Sequence, residues 1–189
     1  MLCIHANRDS NKILGFTFGT EPNACTHVSK VIDSMYSKLW TLRFLKKSGM
    51  SRDNLLSIYK QMLRASAEYG SVVYHSLIPD YMSEKLESVQ KQAMKIIFGW
   101  DINYAELIRE GVVESLASRR ENCILKFALK ASESPRFGTQ WFTKNPDIPI
   151  ELRAGVRNTY LEKRSRTERG RNNPLNYMTR RLNEHLSHI

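Results

Sequence analysis

"EKLESVQKQAMKIIFGW", residues 84–100, places Leu86, Val89, Ala93, Ile96 and Ile97 within about 100° of one another on a helical wheel. Lys91 and Lys95 point the other way. Ser83 stands where a side chain caps a helix start, and Gly99 suits a helix end. The stretch therefore predicts an amphipathic helix. Its apolar stripe asks for neighbouring helices, and its lysine face is either solvated or turned to a negatively charged partner.

Other segments share the same pattern. Val28, Val31, Ile32, Met35, Leu39 and Leu42 recur at three- and four-residue steps, which predicts a helix ending near "KKSG". Lys46 and Lys47 fall in its last turn, where the helix dipole favours cations. Ser51 is placed to cap the next helix, whose apolar face holds Leu55, Ile58, Tyr59, Met62 and Leu63, with Lys60 and Arg64 opposite. "SVVYHS" is compatible with either helix or a short extended piece. A short helix is expected around "YAELIRE", ending at Gly111. In "ESLASRRENCILKFALK", Leu116, Cys123, Ile124, Phe127 and Ala128 form a stripe, with Arg120 inside it and Arg119 at its edge. A charge so placed must snorkel, pair with a carboxylate, or contact a ligand.

"KILGFTFG", residues 12–19, alternates instead, with Leu14, Phe16 and Phe18 on one face, as a strand does. Its partner is either "LCIHA" upstream or a strand outside this chain, because lone strands leave backbone groups unpaired. From Ser132 onward, four prolines and the run "RNTYLEKRSRTERGRNN" change the character to a basic extension, with a last short helix in "NPLNYMTRRLNEHL". Such runs are usually solvated tails and sometimes nucleic-acid arms. The expected fold class is mainly α, a helical bundle with a short N-terminal β strand or hairpin.

The 189 residues carry a net charge of +10, which favours a polyanionic partner, nucleic acid first. Three distant cysteines, with no CxxC pair, suggest neither a disulfide framework nor a zinc knuckle. The N-terminal stretch is too short and polar for a secretory signal, and no apolar run reaches bilayer-spanning length. Nuclear or cytoplasmic residence is expected, without membrane or small-molecule partners. The six aspartates are never adjacent, no phosphate-binding glycine loop is present, and neither Cys25 nor Cys123 has a neighbouring base that marks a nucleophile, His27 pointing away from Cys25. No active site, cofactor or metal site is expected.

The order of these segments resembles the C-terminal part of reverse transcriptases from non-LTR (LINE-like) retrotransposons. "KILGFTFG" is similar to the family's strand that ends the palm. "HVSKVIDSMYSKLWTLRFLKKSG" and "LLSIYKQMLRASAEYGSVVYHS" are similar to the two helical segments after it. "KLESVQKQAMKIIFGW" with "YAELIREGVVESLASRRENCILKFALK" is similar to the "LE-x-VQ … Y … L … SL-x-x-RR-x-x-x-C" region. The likeness spans residues 12–131. It departs where a proline before "EY" is missing, where Val73–Tyr74 replaces VW, and where Gln92–Ala93 replaces RA. What it implies is a palm-edge β remnant over residues 1–22, a thumb-like helical domain over 23–131 and an extension over 132–189. The palm with its metal-binding aspartates would lie upstream, so the chain is expected to be a fragment of an RNA-directed DNA polymerase, without catalysis of its own. Its implied partners are RNA, RNA–DNA or DNA duplex, and the absent palm and fingers. The phosphate contacts expected from this likeness and the charge pattern are Lys46, Lys47, Lys60, Arg64, Lys91, Lys95, Arg119, Arg120, Arg164, Arg166, Arg169 and Arg171. The alternative is a domesticated or orphan helical module that binds other proteins.

Overall fold

The computed structural model describes residues 10–19, 24–145 and 159–188, and these are mainly helical. In chain order they form β1 (Ser10–Ile13), β2 (Phe16–Gly19), α1 (Cys25–Lys47), α2 (Arg52–Tyr59), a π-helical stretch (Lys60–Arg64) and α3 (Ala65–Glu68). Next come α4 (Ser71–Tyr74), a 3-10 turn (His75–Leu77), α5 (Asp80–Phe98), α6 (Tyr104–Arg109) and α7 (Leu116–Glu133). The last are α8 (Gly138–Trp141), α9 (Glu168–Arg171) and α10 (Pro174–Ser187). Two compact units result: Met1–Gly70 with Ile78–Arg119, and Ser71–Leu77 with Arg120–Ile189.

In the first unit, the stretch expected to be one strand folds back on itself. β1 and β2 pair antiparallel, with Ile13 opposite Phe16 and Ser10 opposite Gly19. Leu14 and Gly15 both take positive φ, 49° and 82°, the signature of a two-residue hairpin turn. Leu14 is thereby 88% exposed while Phe16 is buried, so the two do not share a face. The alternative partner, residues 2–6, and the side chain of Phe18 lie outside the described residues.

α1 packs along α5, and α2 packs on both. Val28, Ile32, Met35, Leu39 and Leu42 meet Leu86, Val89, Ala93, Ile96 and Ile97 in the buried core. Each large side chain so enclosed contributes about 1.5–3 kcal/mol. Two caps differ from expectation. α5 begins at Asp80 behind Pro79, three residues ahead of Ser83, because proline's fixed φ of −71° suits the entry and Asp80 complements the helix dipole. Ser51 does occupy the N-cap of α2, but its side chain makes no capping bond. The π-helical stretch widens one turn and rotates the helix C-terminal to it. Leu63 is buried, whereas Met62, expected on the same apolar face, is 37% exposed.

In the second unit the open question over "SVVYHS" resolves as helix followed by a 3-10 turn. Its core gathers Ile124, Ala128 and Ala131 of α7, Phe142, and Met178 and Leu182 of α10. Residues after Ser132 are therefore needed to close a core. The division of the chain falls at Arg119–Arg120, inside α7, and not at Ser132. Phe127, expected in the buried stripe, is 41% exposed and lies beside Trp141. α10 starts as its sequence predicts: Asn173 accepts from Leu175 N–H (3.0 Å) and Pro174 fills the first turn.

Part of the basic extension is held in place by two buried asparagines of α10. Asn183 accepts from Tyr160 N–H and donates to Tyr160 C=O, both at 2.9 Å. Asn176 accepts from Lys163 N–H (3.2 Å) and donates to the carbonyls of Lys163 (3.1 Å) and Gly170 (3.0 Å). Each side-chain amide acts as a substitute strand edge, for Tyr160 and Lys163, while Leu161 N–H donates to Thr143 C=O (2.8 Å) in an isolated antiparallel bridge.

Candidate nucleic-acid interface

Among the expected cations, Lys46, Lys47, Lys60 and Lys91 are exposed and Lys95 is half-buried. None of these five lysines forms an ion pair with a carboxylate among the described residues. Lys91 Nζ lies 5.5 Å from the centre of the Tyr104 ring, and Lys95 Nζ lies 5.7 Å from that of Trp100. Ring faces attract these ammonium groups without neutralising them, so their charge remains available to an anion. Trp100 is itself 73% exposed.

Other members of the set serve the fold. Arg64 and Arg119 converge on Glu68: Arg64 Nε lies 3.5 Å away and Arg119 Nε donates to the same oxygen. Arg119 also approaches Glu114 at 3.5 Å. Both arginine side chains are 24% exposed, so they are anchored at the surface by carboxylates. Arg120 is 0% exposed, and its Nε–H donates to His75 Nδ1 at 3.3 Å. A guanidinium enclosed in that way cannot meet a phosphate, and Arg120 leaves the set of contacts. In the second unit Arg164, Arg166, Arg169 and Arg171 are exposed on the segment that Asn176 helps hold.

The lysine face of α5 is oriented by a polar hub beneath it. Tyr59 OH donates to Gln90 Oε1, and Gln90 Nε2 donates to Glu114 C=O (2.8 Å) and to Tyr104 OH. Tyr104 OH donates to one oxygen of Glu87, whose other oxygen accepts from Leu116 N–H (3.0 Å). Burial, foremost, pushes both tyrosine hydroxyls up, and for Tyr104 the bond to Glu87 adds to it. Both therefore remain proton donors at neutral pH. Glu87, Gln90, Tyr104 and Leu116 are scattered over 30 positions of sequence, yet each bonds another. Gln90→Leu keeps the volume but strands Tyr59 OH and the Glu114 carbonyl. It is expected to cost about 1–3 kcal/mol in denaturant unfolding, and Gln90→Glu should be no less costly, because it sets a buried carboxylate against the Glu114 carbonyl and close to Glu87.

A cleft of about 660 Å³ in the first unit was not foreseen. Its lining includes Thr17, His27, Lys30, Lys38, Ser66 and Tyr69. Lys30 Nζ donates to Thr17 Oγ1 (3.4 Å), and Lys38 Nζ donates to Ser66 Oγ and to Met62 C=O (3.4 Å). Neutral oxygens satisfy both ammonium groups, so the cleft is electropositive. Burial, with Lys30 beside it, holds His27 below its usual range and keeps it neutral.

A row of aromatic residues was also missed. Tyr36, Trp40 and Phe44 of α1 are 41%, 66% and 54% exposed. Their four-residue spacing outside the apolar stripe is the signal that would have found them. Tyr69 and Trp100 are exposed as well, whereas Tyr74 and Phe142 are core.

Among the described residues no group of three or more His, Cys, Asp or Glu side chains is placed to hold a metal ion, and no helix is long and apolar enough to cross a membrane. Comparison with protein-family models, with curated proteins and with solved structures finds no match.

Proposed function

We propose that this chain is a non-catalytic gripping module for polynucleotides, of the kind that the thumb region of a non-LTR retrotransposon reverse transcriptase supplies to its polymerase. The observation that supports it is the set of lysines on α1, α5 and the π-helical stretch that pair with no carboxylate among the described residues, within a chain of net charge +10. Lys46, Lys47, Lys60, Lys91 and Lys95 carry the phosphate contacts in the first unit, and Arg164, Arg166, Arg169 and Arg171 carry those in the second. Arg64 and Arg119 contribute field more than contact. Cations of this sort neutralise phosphate without reading sequence, so binding to RNA–DNA or DNA duplex is sequence-tolerant.

Fluorescence anisotropy across a salt titration tests the reading. Each phosphate neutralised on a B-form duplex adds about 0.9 to the log–log slope of affinity against salt. Lys91→Glu with Lys95→Glu is expected to weaken duplex binding and lower that slope, with the circular dichroism of the helices unchanged. A chain that binds no duplex at low salt, or whose affinity ignores salt, is not a phosphate-gripping module. A stable complex with a protein that resists salt would favour the protein-interaction alternative.

A further inference from the structure

The exposed row on α1 has more to it than stray hydrophobicity. Tyr36, Trp40 and Phe44 succeed one another at four-residue steps, about 6 Å apart along the helix axis. Trp40 and Phe44 lie nearly parallel, with ring centres 5.5 Å apart and planes 13° from each other. Trp40 and Phe44 therefore present their rings as a pair, and Tyr36, whose hydroxyl lies 3.4 Å from Ser88 Oγ, extends the row by one turn. Its spacing exceeds the about 3.4 Å rise of a stacked duplex strand. Bases seated along it must be unstacked from one another, which a duplex does not allow.

The charge around the row identifies its occupant. Arg43 and Lys47 are exposed on the same outer face, three residues beyond Trp40 and Phe44 respectively. From residue 34 to residue 52 the sequence has Lys38, Arg43, Lys46, Lys47 and Arg52 and no acidic residue. Protein–protein interface cores are depleted in lysine, and a second copy would set these cations against their own kind. Alternating rings and cations instead match a strand that alternates bases and phosphates.

We propose that the outer face of α1 is a stacking platform for the unpaired bases of a single-stranded polynucleotide, with Arg43 and Lys47 holding its phosphates. This rests on the reading of the chain as a polynucleotide-binding module and adds a division of labour. α1 takes the unpaired strand, which moves Lys47 from the duplex contacts to that strand, while Lys91 and Lys95 of α5 take the duplex.

The test compares a labelled single strand of about 15 nucleotides with a hairpin duplex of the same composition, at one low salt concentration. The wild-type chain is expected to bind both. Trp40→Ala with Phe44→Ala weakens single-strand binding by about tenfold or more and leaves duplex binding unchanged. Trp40→Phe with Phe44→Tyr, which keeps the rings, restores it. Because both side chains are exposed, circular dichroism should show unchanged folding, and the ring-keeping variant controls for any residual effect. Undiminished single-strand binding by the alanine variant overturns the platform while duplex binding keeps the broader reading. An equal loss for strand and duplex overturns the division of labour. A wild-type dimer that the alanine variant converts to monomer makes the face a protein interface and overturns the proposal. Failure of the wild-type chain to bind either probe removes both readings together.

Discussion

Replacing Arg120 with alanine is expected to destabilise the second unit by about 3–5 kcal/mol, without any selective effect on polynucleotide affinity among molecules that remain folded. The side chain is the largest of those fully buried among the described residues, so truncation opens a cavity along α7 next to Ile124. It also removes the donor that His75 Nδ1 accepts, which leaves a buried imidazole nitrogen short of a partner. Arg120→Met separates the two effects. Methionine refills much of the volume but, like alanine, leaves His75 Nδ1 without its donor. The methionine variant should therefore unfold at a higher denaturant concentration than the alanine variant. Chemical denaturation followed by circular dichroism decides the matter. An alanine variant as stable as the wild type, but defective in binding, would restore Arg120 to the interface.

Arg120 also marks how far the sequence carries. Its place on the helical wheel says that it is inside, because Leu116, Ile124 and Ala128 share its face and are buried. The wheel does not say what the guanidinium finds there. The answer is His75, 45 positions away in a 3-10 turn, and no local periodicity encodes such a pairing. The same holds for the hub under α5, where Gln90 of the quoted helix meets Tyr59, Tyr104 and the backbone of Glu114. Helix existence was legible wherever the apolar stripe ran long, as in α1, α5 and α7. Boundaries failed where backbone geometry outranked propensity: Pro79 moved the start of α5, and two positive φ values at Leu14–Gly15 turned one expected strand into a hairpin. Face assignments failed after Lys60 because a 3.6-residue period cannot anticipate a π turn. The lysines of the candidate interface were legible from charge and spacing, since a cation off the apolar stripe is normally left at the surface. The ring platform was overlooked because aromatic residues are assigned to the core by default, although the four-residue spacing of Tyr36, Trp40 and Phe44 already set them off the stripe of Leu39 and Leu42.

The second unit should lose about 3 kcal/mol of stability as pH falls from about 6.5 to about 4, through His75 alone. Burial, first, and then the guanidiniums of Arg120 and Arg181 push its imidazole down to about 4 from 6.5. Four groups from two helices face the ring. From α7, Arg120 donates to Nδ1 and the Glu121 carboxylate lies 4.0 Å from Nε2. From α10, Tyr177 OH lies 3.3 Å from Nε2, and Arg181 neutralises Glu121 through a 2.8 Å bond. With Nδ1 accepting from Arg120, the ring proton belongs on Nε2, where it donates to the tyrosine oxygen. A second proton would have to go on Nδ1 and break the bond to Arg120. Between the two pKa values the unfolded chain therefore binds a proton that the folded chain refuses. Stability rises with pH across that window, is fully present above about 6.5 and is exhausted near 4. His75→Gln removes the titration but offers an acceptor to Arg120, so its unfolding midpoint should flatten across the window while staying near the wild-type value at neutral pH. Arg120→Met removes one of the two neighbouring positive charges. It should raise the His75 pKa part of the way towards 6.5 and narrow the window from its lower end, because burial and Arg181 persist. Denaturant midpoints collected at half-unit pH steps for the three proteins measure this directly. A wild-type profile no steeper than that of His75→Gln would mean that His75 takes its second proton at an ordinary pH while folded, and that Arg120 does not depend on Nδ1.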